Sequence, residues 1–243
     1  MKSMYTLALC LLPLATAGCA EDSAAPEIGS WQLASTHSLT VAEPSGLCLA
    51  PDGHSLYTVS DETGLVYRIG MDGRTLGFLP FTGEDLEGIC LDPAGQGFWL
   101  AEERRRQAVH ISAEGTVIAR YPVDLGGAAN SGIEGIAFDG NGTLCLLNEK
   151  DPGLLLRRQA ADGSWNREEL TFARDYSDLC WDETRQGLWV LSDEDESLYL
   201  MRAGKPLRRY SLELPRLEGM TVSADTVWVV SDSHSKLYRI QLD

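Results

Sequence analysis

One short phrase recurs five times along the chain: Ser45-Gly46-Leu47-Cys48, Glu87-Gly88-Ile89-Cys90, Glu134-Gly135-Ile136-Ala137, Ser177-Asp178-Leu179-Cys180 and Glu218-Gly219-Met220-Thr221. The intervals are 42, 47, 43 and 41 residues. A second phrase follows each copy, ending in Asp61, Glu102, Glu149, Asp193 and Asp232. A period in this range is the mark of a solenoid or radial repeat. It also places an acidic or small polar residue at two fixed points of every unit.

Within each unit the text is strand-like. A short apolar run follows the phrase, then a turn such as Pro51-Asp52-Gly53 or Asp139-Gly140-Asn141-Gly142. Gly, Asp and Asn supply the positive φ that tight hairpins need. Large β-formers come next, for example Leu188-Trp189-Val190-Leu191 and Val227-Trp228-Val229-Val230, and a third and a weaker fourth strand complete the unit. Strands apolar on both faces suit sheets sandwiched between neighbours. The expectation is an all-β fold, a five-bladed β-propeller of four-stranded antiparallel blades. The last unit stops after its third strand. The text from Ser30 to Leu39 is one extra strand at the N-terminus, and pairing it with the last blade closes the ring and removes free edges.

The first 18 residues read as a lipoprotein signal peptide. Lys2 precedes an apolar core from Tyr5 to Ala17, too short to span a bilayer as a permanent helix. Leu14-Ala15-Thr16-Ala17-Gly18-Cys19 resembles the lipobox of bacterial lipoproteins. That resemblance implies acylation of Cys19, with residues 19–29 as a tether ahead of the propeller that the repeats predict over 30–243. Attachment would be to the bacterial cell envelope, at the outer membrane facing the periplasm, since Ala20 follows the cysteine.

Net charge is −16, from 36 acidic and 20 basic residues. Such a surface repels phosphate backbones and argues against nucleic acid as a partner. Cys48, Cys90, Cys145 and Cys180 lie in apolar text and are expected as free, buried thiols in a monomer.

The Glu-Gly-Ile/Met phrases, together with Val230-Ser231-Asp232 ahead of Leu237-Tyr238-Arg239-Ile240, resemble NHL-type propellers and the SdiA-regulated family of bacterial propellers. The resemblance covers residues 30–243. It implies a five-bladed ring with bound calcium and no settled activity.

The residues themselves point to a cation. Ser45, Glu87, Glu134, Ser177 and Glu218 should form one ring near the axis, with Glu102 and Glu149 following from the second phrase. Gathered carboxylates repel and raise one another's pKa values, and a hard cation relieves this. Calcium accepts about 6–8 oxygen ligands in flexible geometry. The candidate metal ligands are therefore Glu87, Glu134, Glu218, Glu149 and Glu102, with calcium as a structural cofactor. No histidine occupies a repeat-equivalent position, which disfavours transition metals. The expected function is a calcium-containing module that binds a protein or small-molecule ligand. The alternative is a calcium-dependent hydrolase of phosphatase, esterase or lactonase type. Ser233-His234 beside Asp232 has the residue types of a triad but no nucleophile-elbow text around it.

Overall fold

The structure is a computed structural model that describes residues 25–125 and 132–243. Every described element is a strand, and the strands form five sheets. From innermost to outermost, blade one is Pro44–Leu49, Ser55–Ser60, Leu65–Gly70 and Thr75–Thr82. Blade two is Leu86–Leu91, Gly97–Glu102, Gln107–Ser112 and Val117–Pro122. Blade three is Ile133–Phe138, Leu144–Asn148, Leu154–Arg158 and Trp165–Glu169. Blade four is Asp178–Asp182, Gly187–Ser192, Ser197–Arg202 and Lys205–Ser211. Blade five is Leu217–Ser223, Thr226–Ser231 and Lys236–Leu242, completed by Trp31–Ser38 from the N-terminus. That strand pairs antiparallel from Trp31↔Leu242 to Ser38↔Lys236, so the two ends of the ring are stitched together as the repeats require.

The ring holds because each strand shows a different apolar face to each neighbour. Successive side chains of a strand point to opposite faces. In blade four Leu188 and Val190 pack with Leu147 and Leu155 of blade three, whereas Trp189 and Leu191 pack with Leu217 and Val229 of blade five. Five such clusters fill the five blade interfaces. A sheet buried on both faces reads as a continuous apolar run rather than an alternating one.

The phrase glycines set how closely the innermost strands approach. A Cβ on Gly88 would lie 2.6 Å from the Glu134 carbonyl oxygen of the next blade, and one on Gly46 would lie 2.6 Å from that of Glu87. Neither backbone can yield without moving a whole blade. Gly88→Ala is expected to destabilise the protein by about 1–3 kcal/mol, as overpacking of a tight contact does. Urea unfolding checks this, with Gly77→Ala as a comparison from an outer strand with open space around it and no positive φ.

One element has no counterpart in the sequence reading. Glu27–Ile28, within the stretch expected to be tether, pairs in parallel with Arg208–Arg209 on the outer edge of blade four. Gly29 N–H donates to the Arg209 carbonyl at 2.8 Å and extends the attachment. Two residues carry no periodicity, so their pairing is not legible beforehand. Cys19 and the leader lie outside the described residues.

Candidate functional site: an acidic cup on the propeller axis

The phrase acids reach the axis through bulges. In blade two Leu86 pairs with Glu102 and Gly88 with Ala101, so Glu87 is an extra, unpaired residue. Glu134 is the extra residue between Ile133 and Gly135, and Glu218 that between Leu217 and Gly219. A bulge bends its strand and re-aims a side chain. Three blades use it to turn a glutamate inward at the same end of the ring. Ser45 and Ser177 join them, so the whole first ring lines one cup of about 340 Å³.

Eleven carboxylates line that cup against two cations, Lys150 and Arg216. Lys150 Nζ lies 2.6 Å from Glu149 Oε1 and 3.2 Å from Glu194 Oε1. Arg216 lies 3.6 Å from Asp193. Glu87 has the Ser45 hydroxyl as a partner and Glu218 feels the Arg216 charge, but carboxylates still outnumber these aids. Burial, reinforced by the Asp61 charge, pushes the Glu87 carboxyl up to about 8. Burial and then Asp193 and Asp232 raise Glu218 to about 8 as well. Glu134 is raised as well, by burial first and then by Glu87 and Glu103.

Off the axis, between blades one and two, the acids crowd most. Oxygens of Asp61, Asp85 and Glu87 lie within 4.8 Å of one another, the one such grouping of metal-ligating atoms among the described residues. Burial and a hydrogen bond with Asp85 raise Asp61 to about 6. Glu103 beside them is raised to about 7 by burial and by Asp85.

Glu102, expected as a ligand, does not reach the cup. It is fully buried inside blade two, where its carboxylate accepts from Glu84 N–H at 3.0 Å, Arg120 Nη1 at 3.1 Å and the Gln107 side-chain amide. Glu103 lines the cup instead. The second phrase is out of register by one residue in this blade. Glu102 stands where Ser60, Ser192 and Ser231 bond back to the loop leading into their own blade. Aligning on that serine would have selected Glu103. Glu102→Gln should cost about 2 kcal/mol by stranding buried partners. Glu103→Gln should instead raise the melting temperature of metal-free protein, and the opposite signs are read from paired melts.

Glu149, Asp61, Asp193 and Asp232 do line the cup. Asp193 also accepts from Leu217 N–H at 3.0 Å, and Asp232 from the Ser233 N–H, so these two fasten local backbone as well. A third set escaped sequence reading: Glu43, Asp85, Asp175 and Arg216, each two residues before its phrase. Extending the alignment upstream would have exposed them. Glu43, Asp85 and Arg216 have positive φ, which turns the leading loop into the strand. Asp175 is spent on structure, accepting from Ser192 Oγ and Glu194 N–H.

Asp178 follows Ser177 of the first ring and bridges blades beside the cup. It replaces the phrase glycine in blade four, and its buried carboxylate accepts from Leu179 N–H at 2.8 Å and Met220 N–H at 2.7 Å. Burial raises its pKa, and the N–H groups of Met220, Leu179 and Leu47 oppose that rise. One carboxylate thus ties blades four, five and one.

The remaining sequence candidates lie elsewhere. Arg104 pairs with Asp85 at 3.2 Å and Arg105 with Glu84 at 2.7 Å, bracing the loop before blade two. Asp195 is held by Arg174 at 2.6 Å. Ser233 Oγ and His234 Nδ1 are 3.1 Å apart and exposed, but Asp232 bonds the Ser233 backbone rather than the imidazole. The arrangement lacks the orienting contact of a catalytic triad.

Solved structures share the architecture. A virginiamycin B lyase from Staphylococcus aureus, crystallised as an inactive variant with quinupristin, superposes at a TM-score of 0.50 with 15% identity, covering 86% of this chain and 74% of the lyase. A streptogramin B lyase gives 0.51 at 14%, with 86% and 72% covered. A nidogen/laminin complex gives 0.56 at 16%, with 77% and 72% covered. At such identities the likeness establishes the propeller fold. A profile of the family described as SdiA-regulated matches residues 30–241, and the chain belongs to that family.

Proposed function

We propose that this propeller is a divalent-cation-binding module whose acidic cup holds calcium and presents the loaded mouth to a ligand or protein. The observation that carries this reading is the imbalance of eleven carboxylates against two cations in one cup, with Asp61, Asp85 and Glu87 oxygens already gathered. The donor set suits the ion. Every candidate is an oxygen, and the shell mixes carboxylates with the Ser45 and Ser177 hydroxyls, as a hard cation of flexible coordination accepts. Glu87, Glu134, Glu218, Glu149, Asp61, Asp85 and Glu103 are the residues offered to it. When bound, the ion would supply charge neutralisation and cross-link blades one, two, three and five.

Binding rather than hydrolysis is favoured because no described histidine lines the cup and the carboxylate beside Ser45, that of Glu87, is among the groups offered to the ion. The lyase relatives in fold lend no reaction to this chain. Assays with phytate, aryl esters and lactones, with and without calcium, check the point. Calcium-dependent turnover abolished by Glu134→Gln would replace the binding reading with an enzymatic one.

The first test is metal content. Protein purified without chelator and dialysed against metal-free buffer should retain about one calcium per chain. Retention of none, together with no response to added calcium, would reject the proposal. We place the module at the bacterial envelope, held by lipid on Cys19. Fatty-acid labelling that is unchanged by Cys19→Ser would reject that placement.

A further inference from the structure

The axis has a second opening. There a cavity of about 240 Å³ is lined by the far halves of the innermost strands, and three of its walls carry free cysteines: Cys48, Cys90 and Cys180. They come from blades one, two and four and occupy the same position of the phrase, where blade three has Ala137 and blade five Thr221. Cys48 is buried, while Cys90 and Cys180 are half-buried and reachable through the opening. The rest of the lining is mostly apolar, including Leu47, Ile89, Ile136 and Phe138, and it contains no lysine, arginine, histidine or carboxylate.

We propose that this cavity is a binding site for a soft, thiophilic d10 metal ion of the Cu(I) class, taken up by the sulfurs of Cys48, Cys90 and Cys180. Sulfur donors select thiophilic ions over calcium or magnesium, and a set of two or three sulfurs with no nitrogen suits low-coordinate Cu(I) better than four-coordinate zinc. The thiols are held protonated, since burial raises all three, so they are poor nucleophiles and poor targets for peroxide. A soft cation displaces those protons. The step is M⁺ + 2 RSH → [M(SR)₂]⁻ + 2 H⁺, or its three-sulfur equivalent with three protons released. No electron moves and no oxidant is required. The Asp178 carboxyl group behind the cavity raises all three thiols further, so ion uptake has to overcome it to release the protons. The three sulfurs do not all lie within 4.8 Å of one another, so uptake requires them to draw together. The site is independent of calcium in the acidic cup.

The test uses the full chain with Cys10 and Cys19 changed to Ser, kept reduced and anaerobic, and offered Cu(I) as its complex with a chromophoric chelator. One equivalent should be extracted from the chelator. Cys90→Ser and Cys180→Ser should each weaken extraction at least tenfold, while Cys145→Ser and Glu134→Gln leave it unchanged. A second reading needs no cavity substitution: Cu(I) should slow modification of Cys90 and Cys180 by an aromatic disulfide at least tenfold. No extraction, equal extraction by the Cys90 and Cys180 variants, or unprotected thiols would each overturn the proposal.

Discussion

Changing Glu87, Glu134 and Glu218 together to Gln should make the metal-free protein more stable and calcium-insensitive at once. Each of the three is raised by burial before any other cause, and each is raised further by neighbouring carboxylates. A shift of one pKa unit corresponds to about 1.4 kcal/mol between the two protonation states. Removing the three ionisable groups at pH 7.5 should therefore gain on the order of 3 kcal/mol, less than the sum of the shifts, because the three sites are coupled and the buried amides still carry a desolvation cost. Glutamine keeps the shape and hydrogen-bonding capacity, so the ring should close as before. In the unsubstituted chain, calcium at about 100 times its Kd should add about 2.7 kcal/mol by mass action. At roughly 2–4 °C per kcal/mol for a chain of this size, the melting temperature should rise by roughly 8 °C. In the triple variant that rise should vanish. A calcium response that survives all three substitutions would move the ion to acids outside the phrase.

The second large effect is on pH. In the chelated protein Glu87 and Glu218 titrate near 8, Glu103 near 7 and Asp61 near 6, against ordinary values of 4.5 for glutamate and 3.8 for aspartate. Between those ordinary values and the raised ones the folded cup holds protons that the unfolded chain has already released. Unfolding then releases protons, and stability falls as pH rises. Melting temperature should be highest near pH 4 to 5 with respect to these groups and should decline up to about pH 8. Saturating calcium should flatten the decline, because an ion that needs the carboxylates displaces the same protons. Melts across this range, with chelator and with calcium, check both halves. A metal-free curve that rises with pH would mean the cup acids are neutralised by something other than protons.

The fold was legible because its cause is local. A phrase that recurs at intervals of 41 to 47 residues, with turn residues between apolar runs, leaves few architectures open. The N-terminal strand was legible for the same reason, since blade five lacked a fourth strand and Trp31–Ser38 supplied it. The convergence of Ser45, Glu87, Glu134, Ser177 and Glu218 followed from closing the ring. What escaped was set by single-residue register. Glu102 and Glu103 are adjacent acids, and only the buried bonds of Glu102 to Glu84, Gln107 and Arg120 decide which one faces the cup. Asp85 and Glu43 sit in the leading loops, two residues upstream of the phrase and outside its strand-like text. Asp178 was visible as the exception to a glycine position. That its carboxylate bridges blades depends on the Leu179 and Met220 N–H groups converging there, which the linear text does not encode.

Calcium titration by calorimetry tests the central claim most directly, using chelator-stripped protein at pH 7 in two buffers of different ionisation enthalpy. One tight site is expected, with an apparent enthalpy that differs between buffers by the release of at least one proton per ion, since Glu87 and Glu218, both near 8, hold protons at that pH until a cation displaces them. Saturable binding with the same enthalpy in both buffers would place the ion away from the cup. The absence of any binding heat, with no change in melting temperature, would contradict the account itself.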